Sequence, residues 1–488
     1  MFPQRGFSAV IPDTENRRNR ILLLALITLA AAALRFYRLG DWSLSGDEGF
    51  TLTFSTDGFT WRDLRPLGFA LNHYLAIPLF GSTDFALRFF PALFGVTAVP
   101  LVGGLTWAVY GRAAGIFTAL LIAFAPGLIG HSQFARYYMQ SFTLTAVVPF
   151  STVLYLRTRR PRWLVIGALC LLAGCMMVPS SAFVLPGLAA WLLLARQEIL
   201  GERGLAWIRE RRALVIGVVL VLAALGLFAA LRIRGAYMVD ELATEGVRYS
   251  SAAQVVLGTL AVLTLPVTLL VPVGLLLAYR DPRLSVAQRW LLPCWIIGSA
   301  VTFAAAFPFI AIGATHVVSV LAGAFVAAGV ALGEFWEATR PRLVALAAVA
   351  CLLLPSARDL VSYYADGNRL DYRGAAELLQ RLQREQPARV LAQGHGNIER
   401  YAPELRSEEL VFLPDSLRWL DDSTRREPVR LVLTEHRRGL DAGDSEPLVL
   451  HILGSCSLTQ RISRDRLDYY VNAVHVFECA PPTMPPHR

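Results

Sequence analysis

The chain has 488 residues, 55% hydrophobic and 17% charged, with a formal net charge of +9. Soluble domains average about 25% charged residues, so this balance disfavours a secreted disulfide scaffold, a disordered tail and a large cytosolic enzyme. All 46 basic residues are arginine, and where they lie decides between a nucleic-acid partner and a membrane.

Apolar runs long enough to cross a bilayer, about 17–25 residues each, recur through the first 355 residues. Eleven helical spans are expected, near 21–37, 85–108, 113–130, 142–156, 163–178, 182–195, 213–231, 254–278, 290–306, 316–333 and 342–355. Arg17, Arg18 and Arg20 precede the first, and no small-residue cleavage site follows it. It reads as a retained span rather than a cleaved signal peptide.

With the N-terminus inside, the inner segments are 1–20, 111–112, 157–162, 196–212, 279–289 and 334–342. They hold nineteen arginines against eight acids. The outer loops, counting Arg88 at a helix mouth, hold eight arginines and nine acids, Arg35 lies within the first span, and residues 356–488 hold 18 arginines and 20 acids. The positive excess therefore lies on one side, the pattern of an inserted membrane protein, and the nucleic-acid reading falls. The expected organisation is a basic cytoplasmic tail (1–20), a membrane domain (21–355) with a long first outer loop (38–84), and an extracytoplasmic α/β domain (356–488).

In that last domain, Arg369–Glu385 has helical spacing, and strand-like runs occur at Arg389–Ala392, Leu410–Leu413, Val429–Thr434 and Val471–Phe477. Cys170, Cys175, Cys294 and Cys351 fall in spans, where packing is the expected role. Cys456 and Cys479 both lie in the outer domain, where a disulfide between them can persist. No zinc spacing is present.

The first outer loop is too long for a simple connector and contains Ser43-Leu44-Ser45-Gly46-Asp47-Glu48. Adjacent carboxylates beside a membrane are expensive unless solvated, paired or used; a solvated turn is the plain alternative. Arg65-Pro66-Leu67 follows, then an amphipathic stretch Gly68–Phe80 with Asn72, His73 and Tyr74. It is too short to span and suits a helix lying in the interface.

The second outer loop, His131–Gln140, places Arg136 beside Tyr137 and Tyr138. That set suits a phosphate, although a tyrosine anchor with a snorkelling arginine looks the same. A further outer loop adds Arg234 and Tyr237, and His316 begins a later span. With His73, His131 and Gln140 these are candidate substrate contacts, each with a structural alternative.

Several pieces, in order, resemble a known family. They are the basic tail and first span, Asp47-Glu48, Arg65-Pro66-Leu67, Leu79-Phe80-Gly81 and Ala86-Leu87-Arg88-Phe89-Phe90-Pro91-Ala92-Leu93-Phe94-Gly95. Tyr110-Gly111-Arg112 and Ala135-Arg136-Tyr137-Tyr138 complete the run, and Asp371-Tyr372-Arg373-Gly374 resembles the start of the family's outer domain. The chain is similar to the GT-C superfamily of polyprenyl-phosphate-sugar-dependent glycosyltransferases. Its members include protein O-mannosyltransferases, the lipid A aminoarabinose transferase and lipopolysaccharide-core galacturonosyltransferases.

The resemblance implies a polytopic α-helical GT-C membrane fold in a bacterial inner membrane. It implies Asp47 as general base with Glu48 positioning the acceptor, and Arg65, Arg136, Tyr137 and Tyr138 at the donor phosphate. The donor would be a polyprenyl-phosphate-linked sugar and the acceptor an envelope glycan, lipid or protein.

Two departures matter. Gln140 stands near where some branches carry an acid, and Leu64-Arg65-Pro66-Leu67 replaces the usual His-Pro-Pro-Leu. The first argues against a divalent metal, so no cofactor is expected. The alternatives from other classes are a lipid or sugar transporter or flippase, and a non-catalytic envelope scaffold.

Overall fold

The structure is a computed structural model. It describes residues 14–59, 65–198, 252–307, 313–339, 370–410 and 428–436, with 350, 354, 356–361, 363–364, 439–440, 452, 456–462 and 472–479. The first helix, α1 (Thr14–Phe36), begins before the first span and continues through it. Next come α2 (Gly46–Thr56), α3 (Pro66–Leu71), a π-helical turn Asn72–Ala76 and α4 (Ile77–Phe80). The bundle continues with α5 (Asp84–Tyr110), α6 (Arg112–Phe124), α7 (Pro126–Ser132), α8 (Tyr138–Thr158), α9 (Arg162–Met177) and α10 (Val184–Leu194). After the next described stretch begins, α11 (Ala252–Leu263), α12 (Leu265–Arg280), α13 (Val286–Ala306), α14 (Ala314–Val317) and α15 (Ala322–Ala338) follow.

Among the described residues, three helices are long and apolar enough to cross a membrane, and three bent pairs pass the same test together. Three shorter apolar helices, Ile21–Phe36, Arg162–Met177 and Pro179–Leu194, match expected spans as well. The expected spans at 213–231 and most of 342–355 lie outside the described residues. Leu26, Leu29, Leu169, Leu193, Leu269 and Val301 are exposed on the bundle surface, as a lipid-facing belt requires and a water-facing surface of this extent would not tolerate.

Three expected spans are not continuous. Residues 113–130 break between α6 and α7 by 60°, 254–278 between α11 and α12 by 87°, and 316–333 after Val320 by 59°. At the first break, Pro126 has no N–H to give Ile122, so the last carbonyls of α6 need other donors. Arg35, fully buried, supplies them: Nη2 donates to Ile122 O (2.8 Å), Nη1 to Ala123 O (2.9 Å) and Nε to Ser132 Oγ (3.1 Å). A Cβ on Gly95 would lie 2.2 Å from Ser132 Oγ and 2.8 Å from Arg35 Nε, so that helix must carry glycine there. Arg35→Leu strands these acceptors and is expected to lower stability by on the order of 3 kcal/mol, read as the thermal midpoint in detergent. An unchanged midpoint would sink this assignment.

Segments expected on one side of the membrane do meet. Tyr110 Oη donates to Gln288 O (3.0 Å), Ala287 N to Glu198 Oε2 (2.9 Å), and Arg283 pairs with Glu334 (2.7 Å). The opposite end of the bundle carries the C-terminal domain. There Gln133 Nε2 donates to the α1 carbonyls of Leu34 and Arg35 and to Tyr37 O, and its Oε1 accepts from Tyr363 Oη (2.8 Å).

The C-terminal domain has one mixed sheet, with β1 (Arg389–Ala392), β2 (Ser407–Glu409), β3 (Val429–His436), β4 (Gly439–Leu440), β5 (Ser457–Ile462) and β6 (Asn472–Cys479). The order is β2-β1-β3-β6-β5, with β1 parallel to both neighbours and β6 antiparallel to β3 and β5. Alternate residues face two cores. Val390, Ala392, Val432, Val474 and Val476 meet Ala375 and Leu379 of α16 (Tyr372–Glu385), and Leu391, Leu431, Leu433 and Phe477 meet Ile452. A short helix α17 (His395–Tyr401) follows β1.

The expected helix and three of the four strands are present. Of the run expected at Leu410–Leu413, Leu410 follows directly on β2, which ends at Glu409, and residues 411–413 lie outside the described residues. A disulfide joins Cys456 to Cys479.

Candidate active site

Asp47 and Glu48 occupy the first turn of α2 rather than a loop turn, and Glu48 is buried. Glu48 shows what holds that turn. Its carboxylate is fully buried and takes four N–H donors: Arg88 Nε (2.9 Å) and Ala135 N (2.7 Å) on Oε1, Arg88 Nη2 (3.0 Å) and Ser45 N (2.9 Å) on Oε2. The Ser45 bond fastens the helix start in the manner of a capping box. The Ala135 bond ties α2 to the second outer loop. Glu48 is therefore occupied by the protein itself.

Arg88 completes the arrangement. It too is fully buried, and beyond Glu48 it donates to Leu39 O (3.2 Å), Trp42 O (2.8 Å) and Ser43 O (3.0 Å). A charge this deep survives only when paired and fully hydrogen-bonded. Sequence reading counted Arg88 at a helix mouth without assigning it a role. The signal was an arginine among apolar residues, which the rule that singled out Asp47-Glu48 covers equally.

The second loop is shorter than expected. Tyr138 and Gln140 belong to the first turn of α8 and are buried. Arg65, placed before α3 by a proline at the first helical position, holds its guanidinium 5.7 Å from the Tyr138 ring centroid. His131 and His316 each meet the same ring at 5.7 Å. Three candidates from separate parts of the chain are thus gathered around the ring of a fourth, Tyr138. His316 Nδ1 accepts from Gly313 N (3.2 Å), which leaves Nε2 as the protonated nitrogen of the neutral ring.

Tyr137 turns the other way. Its ring packs against Phe69 at 5.5 Å and its hydroxyl accepts from Asn72 Nδ2 at 3.4 Å, with Ser55 and Thr51 also bonded to it. Burial pushes its phenol above the ordinary range. A Cβ at Gly68 would fall 2.4 Å from that ring, so α3 can seat there only with glycine. His73 Nδ1 donates to Ser55 O (2.7 Å), pinning the π-helical turn to α2. Tyr137 joins the second outer segment to the first and His73 ties together two parts of the first, whereas Arg65, His131, Tyr138 and His316 form the cationic and aromatic cluster.

Arg136 is half-buried in the tight turn between these groups, its own N–H donating to Phe134 O (2.7 Å). Gln140 is fully buried, and neither amide atom has a hydrogen-bond partner. Arg234 and Tyr237 lie outside the described residues, as does the side chain of Asp47.

A second carboxylate organises the edge of the site. Asp84, the first residue of α5, accepts from Arg400 Nη2 (2.7 Å), Arg373 Nη2 (3.1 Å) and Tyr401 Oη (2.7 Å). Burial, reinforced by the Asp84 charge, pushes the Tyr401 phenol up to about 12. None of these four stood out in the sequence, because their partners lie about 300 residues apart.

Among the described residues, no three His, Cys, Asp or Glu side chains stand together as a metal ion would need. Glu48 is saturated by N–H donors and Gln140 brings an amide.

No family model and no curated protein matches the sequence. Solved structures do match. ArnT from Cupriavidus metallidurans bound to undecaprenyl phosphate superposes with a TM-score of 0.54 at 15% identity, over 96% of this chain and 99% of that one. The chain has the GT-C fold. The archaeal oligosaccharyltransferase AglB from Archaeoglobus fulgidus, in complex with an inhibitory peptide and a dolichol-phosphate, shares it. There the TM-score is 0.55 at 12% identity, over 85% of this chain and 69% of that one. An Archaeoglobus fulgidus oligosaccharyltransferase in complex with Zn and sulfate matches with a TM-score of 0.54 at 13% identity, over 84% and 67% of the two chains. The agreement with ArnT runs through both the helical bundle and the C-terminal domain of this chain.

Proposed function

We propose that the protein is a membrane glycosyltransferase that moves a sugar from a polyprenyl-phosphate donor to an envelope glycan, lipid or protein. The reading places it in a bacterial inner membrane, with the N-terminus cytoplasmic and the C-terminal domain and active site on the opposite, periplasmic side. The arginine asymmetry supports that orientation. The fold is shared with an ArnT structure holding undecaprenyl phosphate.

The observation that carries the proposal is the 2.7 Å bond from Ala135 N to Glu48. It fixes the helix turn bearing Asp47 against the turn bearing Arg136. A base and an anion site must be neighbours for this reaction, and one buried hydrogen bond makes them so.

In the proposed step, the acceptor hydroxyl attacks the anomeric carbon as Asp47 takes its proton. The bond from that carbon to the phosphate oxygen breaks, and the polyprenyl phosphate leaves with the electron pair. A single displacement inverts the anomeric centre. The leaving group already carries its charge well, so it needs stabilisation more than protonation. Arg65, Arg136 and Tyr138 are placed to supply it, with His131 and His316 alongside. Glu48 serves this scheme by holding the turn, and no step is routed through a metal.

Purified protein is expected to turn over a radiolabelled polyprenyl-phosphate sugar. Arg136→Ala is expected to raise the donor KM about tenfold or more, as loss of one charge-assisted phosphate contact implies, with the acceptor KM little changed. The reverse pattern would assign Arg136 to the acceptor; no turnover by the wild-type protein would reject the reading.

A further inference from the structure

The four residues before Asp47 are held from two directions. From the bundle, Arg88 binds the carbonyls of Trp42 and Ser43. From the C-terminal domain, the Tyr401 hydroxyl accepts Leu44 N–H at 2.9 Å, and Ser43 Oγ accepts Arg373 N–H at 3.1 Å. Ser43 Oγ also donates to Asp371 Oδ1 at 3.4 Å. Each of these three domain residues has a second anchor. Tyr401 and Arg373 bond Asp84 of the bundle, and Asp371 caps α16 through Gly374 N (3.0 Å).

The contact continues into α2. A Cβ at Gly49 would stand 3.1 Å from Asn397 Oδ1 of α17, so the helix bearing Asp47 lies close against the domain. Arg400 closes the edge by donating to Ser82 O (2.8 Å) as well as to Asp84.

We propose that the C-terminal domain is a working part of the active site: Tyr401 and Arg373, locked onto Asp84, are positioning residues that fix residues 42–45 and thereby the place of Asp47. The inference rests on the glycosyl-transfer reading for its catalytic half. Tyr401 is bifunctional here, donating to Asp84 while accepting from Leu44. Its hydroxyl therefore couples a bundle carboxylate to the backbone three residues before the base. A domain serving only for acceptor capture would not need to bond this backbone.

Tyr401→Phe keeps the ring under Arg373 and removes both hydrogen bonds; Asp84→Asn keeps the shape and removes the charge that orders the three donors. Hydrogen exchange of the detergent-solubilised full-length protein is read beside kinetics. Both variants are expected to speed amide exchange across residues 42–48 while β1 and β3 keep their protection. Misplacement of a reacting group by a fraction of an ångström lowers kcat by roughly 10–100-fold, and donor KM is expected to stay within about twofold because the phosphate contacts are untouched.

Unchanged exchange at 42–48 in both variants would overturn the proposal. So would faster exchange with unchanged kcat, which would make the clamp purely structural. If the wild-type protein transfers no sugar, the glycosyltransferase reading falls, while exchange still decides whether the domain holds this segment.

Discussion

Asp47→Asn is expected to lower sugar transfer by roughly 10²–10⁴-fold, the range for loss of a positioned general base, while the protein still folds and inserts. The expectation follows from the contacts that fasten this turn through Glu48. The start of α2 is fastened by Glu48 on Ser45 N, and the turn is anchored by Arg88 and Ala135. Asparagine is nearly isosteric and is tolerated in a first helical turn. The N-terminal end of a helix also favours an ionised carboxylate, the form a base needs at neutral pH. The check is transfer rate beside thermal midpoint; full activity in the variant would remove Asp47 from the catalytic role.

Arg88→Leu is expected to be the most damaging single change, costing about 3–5 kcal/mol because it leaves a buried carboxylate unpaired. It should abolish transfer as well. The loss extends past the ion pair, since the carbonyls of Leu39, Trp42 and Ser43 lose their donor. Glu48→Gln should cost less, yet its NH2 group must face an Arg88 or backbone N–H, donor against donor. The double variant removes the unpaired charge and is therefore expected to be more stable than Arg88→Leu alone, although the carbonyls of Leu39, Trp42 and Ser43 still lack their donor. Recovery to within about 1 kcal/mol of the wild type would instead show that the two residues act only through their mutual charge.

Much of the fold was legible because bilayer insertion is written locally. Apolar length and the side taken by arginine need no knowledge of neighbours, and both agree with the helices and with the pairing of 109–110 with 288 and of 283 with 334. The breaks were less visible. Pro126 gave the first a local cause, but Thr264 at φ +67 between α11 and α12 has no such marker in its residue type. The strand β5 was missed because it is an edge strand whose described side chains are almost all exposed, leaving no apolar alternation to detect.

The site divides in the same way. Adjacent acids beside a membrane and an arginine among tyrosines stand out as sequence, since each is locally expensive. Their division of labour does not. Glu48 holds the turn because Arg88 and Ala135 reach it, forty and eighty-seven residues away. Tyr137 turns toward Phe69 and Asn72 and Tyr138 toward Arg65, His131 and His316, both buried where α8 begins.

By itself the sequence determined that this is a multi-spanning chain with a C-terminal α/β domain, and that its few charges outside the apolar spans deserve scrutiny. Hydrophobic transfer and charge placement are properties of short segments, so they survive without a tertiary structure. The tertiary structure alone decided which carboxylate is buried and bound, which aromatic ring gathers Arg65, His131 and His316, and that the last domain grips the segment leading to Asp47. Those are matters of distance between remote residues, fixed only when helices break, pack and bring their ends together.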